Sequence, residues 1–429
     1  MDTIFSVATA PGKSGVAVIR VSGPDAFSAT QRLVQSLPAP RQPAVRSIRA
    51  ADGTLLDRGL VLCFPAGQSF TGEETTELQV HGSPAITAAI LHALEQISGL
   101  RPAEAGEFTR RALENERLDL VQVEGLADLI DAETELQRRQ AMAVFEGEMA
   151  ERINSWRSDL IRALALLEAT IDFVDEDVPV DVFPEVSELV DRVRHELELE
   201  AAGVNVAERL RDGFEVAIVG RPNAGKSTLL NALAGRDVAI ISDIPGTTRD
   251  VLEARMDLNG IPVTFLDTAG IRETEDKVEK MGVERAVARA RAADIRVFLI
   301  SEDSEKNQLS PEPEDLILWA KGDVEGVKGP SVSGKTGLGV QDMLDRISQT
   351  LTGRLAAVRT ATRQRHAFAI NTGKDHLASA MAELVYMEER ADLAAEEIRR
   401  ALSALDELLG KVGVETILDE IFSSFCIGK

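Results

Sequence analysis

Apolar positions in the first 117 residues come in short, strand-length runs, and from Leu118 onward they take up the three-and-four spacing of helices. Val16 and Val18, with Val21, alternate with their neighbours and predict a strand facing a core. Gly59–Phe64 and Glu77–His81 predict two more, and Pro11-Gly12 and Gly23-Pro24 mark turns. Leu120, Val123, Leu126, Ala127 and Ile130 share one helical face, and Leu160, Leu164, Leu167 and Ile171 share another. The helical pattern stops near Gly213. Between Phe214 and about Thr352, Val216–Val219, Val263–Leu266 and Arg296–Ile300 predict strands that alternate with helices, the pattern of a parallel sheet covered by helices. Helical spacing returns after Arg354: Ile398, Ala401, Leu402, Leu405, Leu408 and Leu409 form a stripe that ends at Gly410, and Val414, Leu418, Ile421, Phe422 and Phe425 form the next. The expected organisation is a mixed α/β domain at 1–117 and an all-α domain in two halves, 118–212 and 354–429. An α/β domain at 213–353 is inserted between those halves.

Composition fits this picture. Of the 429 residues 44% are hydrophobic but only 4% aromatic, which suits a helix-rich soluble protein of several domains. Two cysteines, Cys63 and Cys426, cannot build a disulfide framework, so a reducing compartment is expected. No basic and apolar leader is visible and no apolar run approaches the ~20 residues of a membrane span, which makes a cytoplasmic protein the expectation. The formal charge of −24 argues against broad, nonspecific nucleic-acid binding, while leaving room for a local basic site. The acid clusters Asp172, Asp175, Glu176, Asp177 and Glu312, Glu314, Asp315 read as solvated loops or helix ends.

The chemistry begins where Val216–Val219 runs into Gly220-Arg221-Pro222-Asn223-Ala224-Gly225-Lys226-Ser227, followed at once by the helical Thr228, Leu229 and Leu230. This is the phosphate-binding spacing G-x-x-x-x-G-K-[ST], set between a strand and a helix as that motif requires. Backbone N–H groups from Asn223 to Thr228 would surround phosphate oxygens, Lys226 would neutralise the outer phosphates, and the Ser227 hydroxyl would ligate Mg2+. Three segments follow in the order of a GTPase. Asp243-Ile244-Pro245-Gly246-Thr247-Thr248-Arg249-Asp250 has the form of a switch I segment, and Asp267-Thr268-Ala269-Gly270 that of the D-x-x-G element whose Gly N–H senses the γ-phosphate. The base-reading N-K-x-D element appears as Ala320-Lys321-Gly322-Asp323. Asp323 can still accept both guanine N–H groups and the Lys321 stem can pack on the base, but the Asn amide is missing, so reduced guanine affinity is expected before lost selectivity. Ser333-Gly334-Lys335 takes the place of the S-A-K element that completes the base pocket.

These segments and their inserted position are joined by Ala10-Pro11-Gly12, Gly72-Glu73-Glu74, the string from Glu77 to His81-Gly82, Gly106-Glu107-Phe108-Thr109-Arg110-Arg111-Ala112, Asp119-Leu120 and the final Phe425-Cys426-Ile427-Gly428-Lys429. With them the chain resembles, over nearly its whole length, the MnmE (TrmE) family of tRNA uridine-modification GTPases. The resemblance implies a Ras-like G domain and a homodimer in which two such domains meet to hydrolyse GTP, with K+ in place of an arginine finger. Asn223, Ser242, Ile244 and Thr247 match the K+ ligands, and Ser227 and Thr248 the Mg2+ ligands. Glu279, which by itself reads as an exposed helix charge, matches the residue that orients the attacking water; Lys226, Asn223 and Gly270 complete the implied catalytic set. An N-terminal site for 5-formyl-tetrahydrofolate is implied at Arg20, Glu77, Arg117 and Lys429, although Arg20 and Glu77 alone read as ordinary strand-flanking charges and the family often has Lys at the position of Arg117. Cys426 reads either as a small buried hydrophobe or as a thiol near the folate. The implied partners are an FAD-dependent protein, MnmG, and tRNA, whose wobble uridine would be modified at carbon 5. A folate-sensing GTP-switch scaffold and a ribosome-assembly GTPase are the competing readings; the second leaves the N-terminal strings and the tail unexplained.

Overall fold

A computed structural model of the chain describes residues 2–172, 181–236, 239, 253–267, 287–301, 309–324, 329–410, 421, 422, 425 and 428. The chain divides into two compact units, Met1–Ala127 with Asp406–Lys429, and Asp128–Leu405.

The first unit is α/β. In chain order it contains β1 (Thr3–Val7), β2 (Ser14–Ser22), α1 (Ala26–Leu33), β3 (Ala44–Arg49), β4 (Leu55–Phe64), β5 (Thr75–Gly82), α2 (Pro84–Glu95), β6 (Leu100–Pro102), α3 (Glu107–Glu114) and the start of α4 (Leu120–Asp131). The sheet order is β3-β4-β5-β2-β1-β6, antiparallel except for the β1–β6 pair. One sheet face is buried by Ile19, Val21, Val61, Leu78 and Val80, packed with Ile90 and Leu94 of α2. The phase of β2 is therefore opposite to that expected from Val16 and Val18. Ala17, Ile19 and Val21 point inward and Val16 is 53% exposed. Four consecutive apolar residues, Val16 to Ile19, leave the phase open to alternation alone, and a register irregularity between Ser14 and Ala17 inserts a residue against β5 just before the buried positions begin. The end of the chain belongs to this unit. Phe422 and Phe425 pack on Val123, Gly106 (φ 67°) leaves room for the Phe422 ring where a Cβ would lie 2.9 Å from it, and Arg110 stacks 5.1 Å from the centre of that ring.

The second unit holds α5 (Glu135–Phe145), α6 (Glu148–Asp172), α7 (Phe183–Asp212), β7 (Phe214–Gly220), α8 (Lys226–Ala234), β8 (Glu253–Leu258), β9 (Ile261–Asp267), β10 (Ile295–Ile300), β11 (Leu316–Ala320), β12 (Ser331–Val332), α9 (Val340–Leu355), α10 (Gln364–Leu384) and most of α11 (Ala391–Leu408). Helices α6, α7 and α10 pack together. Ile153, Trp156, Leu160, Ala163 and Leu167 form the buried stripe of α6, while Ile171 and, on α4, Ile130 end exposed. The sheet order is β12-β11-β10-β7-β9-β8, parallel apart from the β8–β9 hairpin, which turns at Asn259 (φ 55°) and Gly260 (φ 89°). Gly213 (φ 96°) ends α7 and starts β7 directly, so the longest helix of the bundle runs straight into the strand that precedes the phosphate loop. No helix among the described residues is long and apolar enough to cross a membrane.

One acid cluster departs from expectation. Glu312 and Glu314 are exposed, but the Asp315 side chain is 3% exposed and accepts the backbone N–H of Arg296 (2.9 Å) and of Glu312 (2.7 Å) and the Arg296 guanidinium (2.9 Å). It fastens β10 to the start of β11 instead of facing solvent. Of the other cluster only Asp172 lies at the edge of the described residues, and Asp175, Glu176 and Asp177 lie outside them.

Candidate functional site

The β7–α8 junction brings the predicted phosphate loop together. Gly220 closes β7 where a Cβ would stand 2.8 Å from the Leu299 carbonyl of β10, and Asn223 (φ 63°) and Gly225 (φ 97°) take the left-handed conformation that wraps the loop onto the helix start. The first turn of α8 then presents its free N–H groups toward the loop. Lys226, 5% exposed, donates to the carbonyls of Gly220 (2.8 Å) and Arg221 (3.0 Å). Burial pushes its ammonium below the usual lysine range, against the pull of the Asp267 carboxylate. Ser227 donates to Asp267 Oδ2 at 2.6 Å, which places a hydroxyl and a carboxylate oxygen side by side at the ends of α8 and β9. Two hard oxygen donors beside a phosphate-binding loop suit Mg2+, which takes few protein ligands when phosphates and water supply the rest. Among the described residues no group of three or more His, Cys, Asp or Glu could hold a metal. Ser242, Asp243, Ile244, Pro245, Gly246, Thr247, Thr248, Thr268, Ala269, Gly270 and Glu279 lie outside the described residues.

The base-side residues gather at the carboxyl ends of β11 and β12. Ala320 is 6% exposed and pairs with Val332, after which Lys321 (φ 54°) turns the chain and Gly322 donates to the Val332 carbonyl at 3.1 Å. A hydrogen bond from Ser333, then Lys335 and Lys321, hold the Asp323 carboxyl below the usual range and therefore ionised. Ser333 Oγ also accepts the N–H groups of Lys335 (3.2 Å) and Thr336 (3.3 Å). Gly334 packs so closely on α8 that a Cβ would lie 2.5 Å from the Leu229 nitrogen, which joins the base loop to the first turn of the phosphate helix.

In the first unit Arg20 and Glu77 face one another across β2 and β5, on the sheet face opposite the α2 core. Arg20 Nε and Nη2 donate to Glu77 Oε1 at 3.1 and 2.9 Å. Phe70 and Phe108 approach the guanidinium, with ring centres at 5.7 and 5.6 Å. Arg117 is exposed, with its stem 3.2 Å from the position of a Cβ on Gly72. Lys429 and Cys426 lie outside the described residues.

The motif reading missed a buried network beside this pair. Arg111, 7% exposed at its side chain, bonds Glu73 (3.1 Å), Glu107 (2.9 Å) and Asp2 (2.8 Å). Ser22 donates to Glu73 (2.8 Å) and pairs with Thr71 (2.7 Å). The strings around Gly72 and Gly106, far apart in sequence, are thus two halves of one salt-bridged assembly; charged residues in turn and helix-start positions were the only signal. A second omission is His81, whose Nδ1 pairs with Asp57 Oδ1 at 2.8 Å. Burial would raise the Asp57 carboxyl, but the His81 amide and ring and the Arg58 amide hold it below its ordinary value.

Known proteins resemble the chain along its whole length. A family model described as the MnmE helical domain matches residues 120–426, and one described as the N-terminus of the GTP-binding protein TrmE matches residues 3–117. A relative from Cereibacter sphaeroides (strain ATCC 17029) is 57% identical over 429 residues, and one from Roseobacter denitrificans is 54% identical over 429 residues; each alignment covers 100% of both chains. Both relatives are named tRNA modification GTPase MnmE.

Proposed function

The chain belongs to the MnmE family of tRNA modification GTPases, and from that premise we propose that it is a K+-dependent GTP hydrolase that works as a homodimer in the cytoplasm with an FAD-dependent partner to modify carbon 5 of the wobble uridine in tRNA. The observation that carries the GTPase part is the phosphate loop. A buried ammonium, a left-handed Asn-to-Gly turn and a hydroxyl–carboxylate pair at 2.6 Å converge at one helix start. When bound, Mg2+ and K+ would neutralise charge that develops between the β- and γ-phosphates during hydrolysis. Ser227 and Thr248 would hold Mg2+, with Asp267 facing its hydration shell. Asn223, Ser242, Ile244 and Thr247 would hold K+. Lys226 would leave its two carbonyl partners for the outer phosphates, Gly270 would donate to the γ-phosphate, and Glu279 would orient water. Ala224, Gly225 and Thr228 would contribute backbone contacts. Lys321, Asp323, Ser333, Gly334 and Lys335 would read guanine.

The 1–117 domain would bind a 5-formyl-tetrahydrofolate through Arg20, Glu77, Arg117 and Lys429. A largely buried ion pair flanked by two aromatic rings suits a pterin, whose ring N–H and amino group match a carboxylate. The Arg20–Glu77 bond would have to loosen for that contact to form.

Phosphate release measured in KCl and in NaCl at equal ionic strength tests the ion dependence. Faster hydrolysis in KCl, lost in Asn223→Ala, is expected; equal rates in the two salts would exclude K+ as a catalytic ion. Cells carrying Glu279→Ala are expected to lose the tRNA modification, and full modification without hydrolysis would point to the scaffold reading.

A further inference from the structure

Between the nucleotide domain and the helical bundle, within the second unit, lies a cavity of about 410 Å³, inside the range of small-molecule sites. Its walls are Leu136 and Val144 of α5, Leu210 of α7, Leu355 at the end of α9, and Val358. Three guanidiniums, Arg139, Arg152 and Arg359, line the same space, opposed by the carboxylate of Glu148. Arg139 is bonded to Glu135 at 2.7 Å, whereas Arg359 has no ion-pair partner among the described residues. An apolar chamber with one guanidinium, Arg359, outside any ion pair among the described residues suits an anion on an apolar body.

One wall of the cavity is the strap 356–362, which returns the chain from α9 to the bundle. The fully buried Glu200 carboxylate of α7 pairs with Arg152 and accepts Thr360 Oγ1 (3.3 Å) and the Ala361 N–H (3.3 Å). Gly203 lets the strap lie directly on α7, since a Cβ there would stand 2.5 Å from the Ala357 carbonyl. Arg211 donates to the Thr362 carbonyl at 3.1 Å. Arg152 thus touches both the cavity and the latch that fixes the strap.

We propose that this cavity is an effector site for a small amphipathic anion, a carboxylate, sulfonate or phosphate on an aromatic or short alkyl body, whose occupancy acts on the strap through Arg152 and Arg359. The inference goes beyond the GTPase reading and is tested without nucleotide. The intact protein is titrated with 8-anilinonaphthalene-1-sulfonate, with octanoate and inorganic phosphate as competitors. Saturable binding displaced by octanoate but not by phosphate is expected. Val144→Trp, which fills the chamber, and Arg359→Glu, which alters only an exposed side chain, should each weaken it at least roughly tenfold, the scale of one lost charge-assisted hydrogen bond. Hydrogen exchange at the Ala361 amide should change on saturation in the wild type and not in Arg359→Glu. Binding unchanged in either variant, displacement by phosphate alone, or no saturable binding in the wild type would overturn the assignment.

Discussion

Ala320→Asn restores the amide that the base-reading element lacks, and its effect can be worked from the position. Ala320 is 6% exposed at the carboxyl end of β11, one residue before the left-handed Lys321 and beside the Ser333 loop that holds Asp323. An amide there gains a neutral hydrogen bond in the guanine complex, about 0.5–1.5 kcal/mol net, which is roughly twofold to twelvefold in dissociation constant. In the nucleotide-free protein the same amide sits in a space that now holds only a methyl group. Leaving it unpaired costs about 1–3 kcal/mol, or roughly 2–10 °C in thermal midpoint for a domain of this size. Fluorescent GDP titration and thermal scans with and without GDP therefore give two linked results: tighter binding, and a larger GDP-induced rise from a lower starting midpoint. Preference for GDP over ADP should be present already in the wild type, because Asp323 is ionised and can accept two guanine N–H groups. Unchanged or weaker GDP affinity in Ala320→Asn would refute the placement of this residue at the base.

Asp315→Ala should lower stability by about 3 kcal/mol, because it strips a buried guanidinium of its main partner and two backbone N–H groups of their acceptor; thermal scanning reads it, and a shift below about 1 °C would mean the cluster is solvated after all. Cys63 is buried in the first core and desolvation pushes its thiol up to about 11, so in native protein at pH 8 iodoacetamide followed by mass spectrometry should leave Cys63 unmodified, and rapid labelling would contradict its burial. Because that folded-state value is raised, the thiol favours the fold fully below pH 9 and loses this contribution as pH climbs toward 11. Cys63→Ala should therefore flatten the fall in stability over that interval. Lys226→Met should abolish nucleotide binding while raising the thermal midpoint of the nucleotide-free protein, since it removes an ammonium that burial disfavours; a lower midpoint would show that the two carbonyl bonds outweigh that burial.

The phosphate loop was legible because its residues are consecutive and each has a backbone reason to be there. Gly225 must take positive φ, Gly220 must lie against β10, and Lys226 must start a helix. The strand after Gly213 and the stripe ending at Gly410 followed from periodicity in the same way. The face of β2 did not, because Val16, Ala17, Val18 and Ile19 are all apolar, so alternation there fits either side and only Arg20 against Val21 marks which one is buried. Strand β8 was missed since its apolar residues, Ala254, Met256 and Leu258, alternate only briefly beside a sheet edge. Asp315 and the Arg111 network were illegible for a different reason. Whether a charge is solvated or buried depends on partners such as Arg296 and Asp2 that lie elsewhere in the chain, and no local pattern carries that information.

The first unit is discontinuous, and this bears on how the protein is made. A ribosome delivers residues 1–127, then the whole of the second unit, and only then the segment that supplies Phe422, Phe425 and Gly428. Until that segment emerges, the space beside Gly106 and the apolar side of Val123 have nothing to cover them, and the Val7 carbonyl waits for the Gly428 backbone, which comes so near that a Cβ there would lie 2.1 Å away. The second unit, continuous from 128 to 405, has all its segments first and can be complete while the unit begun before it is still open. The main core of the first unit, built from Phe5 to Ile97, can close early, and what synthesis leaves uncovered longest is the patch around Gly106 and Val123, which only the last residues of the chain can fill.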